Sequence, residues 1–330
     1  MPTNKEEINV VWFKRDLRLQ DNEAIYNAIA SKKRVLFLYV FEKSLQEDPH
    51  YDSRHWNFIK ESIRDINSDL AAYNSKILAV NSEIITVFNQ LQNFYKIGTV
   101  YSHQETGLLK TFIRDKDFTR YCRNNEIQWK ENINNGVLRG LLNRHDWIEK
   151  WENYMYAPQL KNNLKKATIF DVEELKAIEA YFEITDLKTP KETPFQKGGT
   201  LLGWRYADSF FEDRHQNYMN HISKPTLARK SCSRLSPYIA WGNLSIRQVY
   251  QRAILSKNKD NKKPLGAFAS RLRWQAHFIQ KFEMEHTMEE ASLNKGYHKL
   301  KKAISETYQK AWRSGTTGFP IIDAGMRCLT

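Results

Sequence analysis

Residues 230–245 read KSCSRLSPYIAWGNLS. Within them Ser236-Pro237 has the form of a helix start, with Ser as N-cap and Pro at the first helical position. Directly before it stand Ser231, Cys232, Ser233 and Arg234. Small hydroxyls, free backbone N–H groups and one guanidinium at a helix start are the groups that hold an anionic phosphate. An ordinary capped helix would use the same residues, so this stretch alone leaves both readings open.

A second candidate is PLGAFASRLRWQAHFIQKFEME, residues 264–285. Phe268, Leu272, Gln275, Ile279 and Phe282 recur at helical spacing and predict a core-facing stripe. Arg271, Trp274, Phe278 and Lys281 form another stripe, about a quarter-turn round the same helix. Cations alternating with aromatics can hold phosphates and stack a base. On the pattern alone, Trp274 and Phe278 would more simply widen the core stripe. The third candidate is Trp312 in AWRSGTTGFPIIDAGMRCLT, residues 311–330, ahead of the turn Gly315 to Pro320. A Trp beside a turn is ordinarily packing. It serves as an electron stop only where other aromatics lead inward from it.

These groups need elements to position them. NVVWF, RVLFLYVF, KILAV, GTVYS and EIQWK are short apolar runs rich in Val, Ile, Leu and aromatics. Between them lie helix-length segments at 21–32, 53–73, 83–95 and 108–124. That alternation predicts a doubly wound α/β domain with a parallel sheet over residues 1–131. No GxGxxG follows the first strand; the turn there is KRDLRLQDN, so the usual dinucleotide fingerprint is missing. Residues 132–197 are polar, Pro-containing and weakly periodic, and read as a connector with one or two short helices. From Gly198 the strand signals stop. Helical segments are expected at 199–220, 245–256, 264–285, 297–313 and 320–330, so residues 198–330 form an all-helical part.

The charge is unevenly placed. Residues 1–131 hold 19 Lys/Arg against 18 Asp/Glu, residues 132–197 hold 10 against 10, and residues 198–330 hold 22 against 10. The last part therefore carries +12 of the net +13. Excess confined to one part predicts a surface for a polyanion, most often nucleic acid. The other reading is a solvated basic surface. The 3 Cys are far apart and form no CxxC pair, which fits a reducing compartment and argues against a zinc site. The 9 His show no metal-ligand spacing, so no metal is expected. No apolar run reaches the ~18 residues of a membrane span. The opening MPTNKEEINVVWF carries acids and reads as a strand rather than a secretory signal.

The motifs combine into a resemblance. VVWFKRDLRLQDNEAIYNAI resembles the opening strand, turn and helix of the DNA photolyase/cryptochrome family. SRLSPYIAWGNLS is similar to that family's flavin-phosphate loop, RLRWQAHF to its substrate-facing helix, and AWRSGTTGFPIIDAGMR to its Trp-Gly-Gly-Pro-Asp-Arg turn. The four motifs occur in the family's order and span the chain.

The resemblance implies an N-terminal antenna domain followed by a helical domain that holds FAD. A second antenna chromophore of folate or deazaflavin type is possible in such a protein. Tyr218 falls where the family has an FAD-contacting Tyr. Ser233, Arg234, Leu235 and Ser236 match the loop that wraps the diphosphate, and Cys232 stands where the family usually has Thr, with a thiol as a weaker donor. Trp274 matches the Trp that stacks on a flipped pyrimidine dimer. Gln275 replaces a common Arg there, and Arg271, Phe278 and Lys281 share that substrate-facing set. Trp312 matches the outermost Trp of the photoreduction chain. In that family the helix begun by IIDAGMRCL is followed by much of the flavin pocket. The 330 residues are therefore expected to be part of a longer protein, with Ile321, Ile322 and Met326 left on the surface.

The implied activity is light-driven DNA repair. Reduced FAD absorbs blue light, passes an electron to a dimer flipped out of the duplex, and recovers it after the dimer splits. Damaged DNA is the expected partner, a monomer the expected state, and the cytoplasm the expected place (at the nucleoid in a bacterium). A cryptochrome-type photoreceptor without repair is the alternative, and the +12 of the helical part argues for DNA. A cofactor-free helical nucleic-acid-binding module would leave SCSRLSP and Tyr218 without a role.

Overall fold

The five apolar runs form strands β1 (Glu7–Phe13), β2 (Arg34–Phe41), β3 (Leu78–Asn81), β4 (Lys96–His103) and β5 (Gln128–Asn132) of the computed structural model, which describes residues 5–301 and 303–329. All pair in parallel, in the order β3-β2-β1-β4-β5. Helices α1 (Glu23–Ala30), α2 (Ser53–Leu70), α3 (Ile84–Leu91) and α4 (Leu109–Asn124) make the crossovers. This is the doubly wound sheet that the alternation predicts. Side chains alternate along each strand. Val11, Phe13, Val35 and Phe37 join a core with α1 and α2, while Ile8, Val10, Trp12, Leu36 and Leu38 join another with α3 and α4.

Residues 132–197 hold the two short helices that the connector allows for. Helix α5 (Trp147–Tyr156) buries Trp147, Trp151 and Met155, and α6 (Val172–Glu179) buries Leu175 and Ile178. Ile169 also bridges Val35 in parallel. A few large anchors spaced among polar residues escape an average of polarity.

The helical part contributes α7 (Thr200–Glu212), α8 (Pro225–Ser231), α9 (Ser236–Ala240), α10 (Ile246–Leu255) and α11 (Lys262–Met284). The expected helix over 199–220 breaks at Asp213 and continues as single turns. The pattern gives no warning of α8, a short polar helix. Phe210 of α7 packs on Phe268 of α11 with ring centroids 4.7 Å apart, and Tyr238 of α9 lies 5.3 Å from Phe58 of α2. The described residues up to His286 thus form one compact unit.

The turn KRDLRLQDN, residues 14–22, fastens the helical part to the sheet. The Leu17 N–H donates to the Trp241 carbonyl at 3.0 Å, Arg18 to the Gly242 carbonyl at 3.0 Å, and the Asn243 amide to the Leu17 carbonyl at 3.0 Å. Gly242 has φ +72°, and an added Cβ there would run into the Arg15 carbonyl oxygen. Only glycine meets both demands. The buried Asp21 carboxylate accepts from Ser245 and from the Arg247 guanidinium.

The residues from Thr287 form a second unit, with α12 (Glu306–Arg313) and α13 (Pro320–Arg327). The expected helix over 297–313 is a 3₁₀ stretch at Lys295–Lys299 and then α12. The Asp323 carboxylate closes the turn between α12 and α13, accepting from the Thr317 N–H at 2.8 Å and the Gly318 N–H at 3.0 Å. Ile321 and Ile322 are exposed and Met326 is half-buried. Among the described residues no helix is long and apolar enough to cross a membrane.

Candidate functional site

The loop from Cys232 to Ser236 owes its shape to Arg234, which has φ +60°, followed by Leu235 at φ −87°, ψ −7°. A left-handed residue next to a right-handed one turns successive N–H groups to one side, the geometry of an anion-binding nest. The N–H groups of Ser233, Arg234 and Ser236 meet no protein acceptor among the described residues. The carbonyls, by contrast, are tied back. Arg214 donates to the Cys232 carbonyl, to that of Ser233 at 3.3 Å and to that of Tyr206 at 2.7 Å, and Gln196 donates to the Arg234 carbonyl at 3.0 Å. The Arg234 guanidinium lies 5.4 Å from the Tyr206 ring centre, without a carboxylate partner among the described residues. Burial, with Arg234 nearby, pulls the Arg214 guanidinium below its usual range. Two neighbouring cations and open N–H groups are relieved by an anion.

Ser236 is the first residue of α9 rather than its cap; Leu235 takes the cap position, with no side-chain bond. The chain enters the helix one residue early because the left-handed turn falls at Arg234. Leu235 is fully buried in the core and offers only its backbone. Tyr218 is buried between Phe210, 5.7 Å away, and Phe268, 6.1 Å away. Burial raises its phenol pKa, Cys232 adds to the rise and Arg271 opposes it, so these three side chains share one neighbourhood. Burial also raises the Cys232 thiol, against the pull of Arg214.

These groups fit the diphosphate of FAD: a nest, the Ser233 hydroxyl and a free guanidinium. Arg234→Ala is expected to weaken FAD binding about tenfold or more, the worth of a charge-assisted contact. The check is the flavin-to-protein absorbance ratio after dialysis. Unchanged occupancy would remove Arg234 from the site.

Helix α11 corrects the expected core stripe. Phe268 and Leu272 are buried, but Gln275, Ile279 and Phe282 are only half-buried, and the buried line runs on through Ala276, Gln280 and Glu283. The Gln280 amide brackets Leu138, donating to its carbonyl and accepting from its N–H, both at 2.8 Å. Glu283 accepts from the Thr106 hydroxyl at 2.6 Å and pairs with Arg139 at 3.4 Å. Polar residues with such partners occupy core positions that an apolar pattern misses.

Trp274 is 53% exposed and Phe278 57% exposed, so neither widens the core. Their rings lie 5.9 Å apart. Arg271 is exposed and Lys281 half-buried, and neither has a carboxylate partner among the described residues. The four form one solvent-facing stripe, whose Arg271 end adjoins Tyr218. Trp312 is 53% exposed near the end of α12, with no ring partner among the described residues.

Sequence reasoning missed the carboxyl edge of the sheet. Arg114 reaches Glu42 at 2.6 Å, Glu105 at 2.7 Å and Asp115 at 2.7 Å, and Arg15 holds Glu105 at 2.9 Å. The charges of KRDLRLQDN at a strand end were the available signal. Little space remains among these side chains, about 20 Å³, but a cleft of about 360 Å³ opens beside them, lined by Arg15, His50, His55, Ser236 and Trp241. Burial pushes the Glu42 carboxyl up to about 7, outweighing Arg114, and its second oxygen is buried without a partner. Burial pushes Glu105 the same way, but Arg114, Arg15 and Lys14 outweigh it and hold that carboxyl at about 2.

A raised pKa favours folding below the unfolded value and loses that favour as pH rises through the folded one. Glu42→Gln should therefore gain stability, on the order of 1 kcal/mol, near pH 8 and change little near pH 5. Urea midpoints at the two pH values check this. An equal shift at both would show that Glu42 does not pay for a buried charge.

Residues 9–138 match the family DNA photolyase, and residues 268–330 match the FAD binding domain of DNA photolyase. The chain is similar to a deoxyribodipyrimidine photo-lyase of Alkalihalophilus pseudofirmus, 23% identical over 99% of this chain and 70% of the relative. It is similar to cryptochrome-2 of Arabidopsis thaliana, 26% identical over 97% of this chain. There the chain spans 56% of the relative's length. Its fold matches the crystal structure of an archaeal photolyase from Sulfolobus tokodaii with two FAD molecules, at TM-score 0.74, 20% identity, and coverage of 98% of this chain and 70% of that one.

Proposed function

This chain belongs to the DNA photolyase/cryptochrome family, and we propose that it serves light-driven repair of pyrimidine dimers in DNA. The observation that carries this reading is the exposed stripe of α11. Trp274 and Phe278 are held out of the core between Arg271 and Lys281, which have no acidic partner among the described residues. Burying those aromatics would favour folding, so keeping them exposed favours a ligand with flat rings and phosphates.

In this reading the Cys232–Ser236 loop binds the FAD diphosphate through its nest, the Ser233 hydroxyl and Arg234. Tyr218 packs the pocket wall beside it. Reduced FAD, when bound, supplies a light-driven electron for splitting the dimer. Arg271 and Lys281 hold the DNA backbone, Trp274 stacks on the extruded dimer, and the stacked rings exclude water from it. Gln275, half-buried on the same helix, donates through its amide. A second chromophore of folate or deazaflavin type belongs to the proposal. We assign it to the cleft of about 360 Å³ beside Arg15, His50, His55 and Trp241, because ligands of doubly wound sheets lie beyond the carboxyl ends of the strands. The cytoplasmic location and monomeric state are part of the same proposal.

The relatives include a cryptochrome, which favours a second reading, a blue-light receptor that does not repair. The absorbance spectrum of the full-length protein tests the part common to both. Flavin bands in the blue are expected, and their absence would exclude both readings. Trp312, as an outer relay, makes a narrower claim. Trp312→Phe should slow photoreduction of oxidised FAD severalfold and leave repair by pre-reduced protein intact, since the repair electron passes directly from flavin to lesion. Equal loss of both would end the relay role.

A further inference from the structure

We propose that the cleft between residues 143–148 and the flank of α11 is a subsite for a single nucleic-acid strand, taking a backbone phosphate on Arg144 and a base against Trp274. The inference rests on the DNA reading above and shares Trp274 with the stripe that carries it, while Arg144, Arg273 and His277 lie outside that stripe. The cleft has a volume of about 650 Å³, within the usual range for a site that holds a small organic molecule.

Its lining selects an anion. The polar side chains in it are those of Asn143, Arg144, His145, Arg273 and His277, and no carboxylate lines it. Glu152 is engaged by Arg273 at 3.4 Å, and Asp146, exposed in the same loop, does not line the cleft. Arg144 is exposed and has no acidic partner among the described residues. Its guanidinium instead lies 3.2 Å from both ring nitrogens of His277. Burial, then Arg144 and Lys281, keep the His277 imidazole pKa below its ordinary value, so a neutral ring stands where a counter-ion would be expected.

Its walls select flat rings. Trp274 and Trp147 flank His277, with centroids 6.4 Å and 5.9 Å from it. Trp147 is buried, so it backs His277 from the core side. Cations beside aromatic faces match a phosphate joined to a base better than they match an acidic peptide, which lacks the second part. The position fits a strand's path as well. Trp274 belongs both to this cleft and to the exposed stripe with Arg271, Phe278 and Lys281. Through Trp274 the stripe and the cleft are continuous.

The test uses the full-length FAD-loaded protein, a fluorescent oligo-dT single strand, and a duplex with and without one thymine dimer. Fluorescence anisotropy is read across a salt series. Arg144→Ala should weaken binding of the single strand about three- to tenfold and flatten its salt slope by roughly 0.7, one phosphate's share. Arg144→Lys should restore most of the slope, because a point charge suffices there. His145→Ala, in the same loop, should act in the same direction but more weakly. If the unmutated protein shows no preference for the dimer yet Arg144→Ala still flattens the slope, the cleft stands and the repair reading falls. If the preference is intact and Arg144→Ala alters neither affinity nor slope, the strand does not use this cleft. Failure of the unmutated protein to bind the single strand at all would overturn it too.

Discussion

Trp274→Ala is expected to weaken binding to dimer-containing DNA by roughly 5- to 150-fold, because stacking of a base on an aromatic ring is worth ~1–3 kcal/mol. Undamaged duplex loses much less, since its binding is mainly to phosphates and depends on salt. Arg271→Ala and Lys281→Ala behave differently. They should weaken both DNAs and flatten the salt dependence. A side chain 53% exposed contributes little to the core, so the melting temperature of Trp274→Ala should stay close to that of the parent. The informative quantity is the damaged-to-undamaged affinity ratio, measured by anisotropy at two salt concentrations. If Trp274→Ala lowers stability and leaves that ratio alone, the indole is packing and not a substrate contact.

Asp21→Ala is expected to cost about 3–5 kcal/mol of stability, the usual price of stranding one member of a buried ion pair. Arg247, 7% exposed, would keep its charge without the carboxylate, and Ser245 and the Leu160 N–H would lose their acceptor. The pair joins the turn after β1 to the start of α10, so its loss should loosen the helical part from the sheet. Adding Arg247→Ala to Asp21→Ala should recover part of the loss, because the stranded charge is then gone. Urea unfolding of the two single variants and the double variant measures the coupling. Strict additivity would show that the contact across the turn carries no energy.

The sheet was legible because its signals are local. RVLFLYVF is a buried strand on composition alone, and β2 covers those eight residues, 34–41. Helices between the strands then dictated parallel pairing. The loop ahead of α9 was legible as a candidate for the same reason: SCSRLSP places its hydroxyls, cation and helix start within a few residues. Its fine geometry was not. No pattern reveals that Arg234 takes a positive φ, or that Arg214 ties back the carbonyls of Cys232 and Ser233 from 18 and 19 residues away.

The core of α11 was misread past Leu272 because Gln280 and Glu283 owe their burial to partners at Leu138, Thr106 and Arg139, all more than a hundred residues distant. The cleft at residues 143–148 escaped for a related reason. Arg144 and His277 acquire meaning only when folding brings a polar connector against the flank of a distant helix. Trp274 is the reverse case. Its spacing allowed a core role, and only its exposure removes that role.

The most direct test of light-driven repair is dimer loss from a UV-irradiated oligonucleotide, with the full-length protein loaded with FAD and reduced beforehand. One sample is held under blue light and one in darkness. Repair predicts that dimers disappear in the light in catalytic excess over protein and persist in the dark. A protein that shows the flavin spectrum and reduces its flavin under light, yet leaves every dimer in place, would contradict the repair reading and be a photoreceptor.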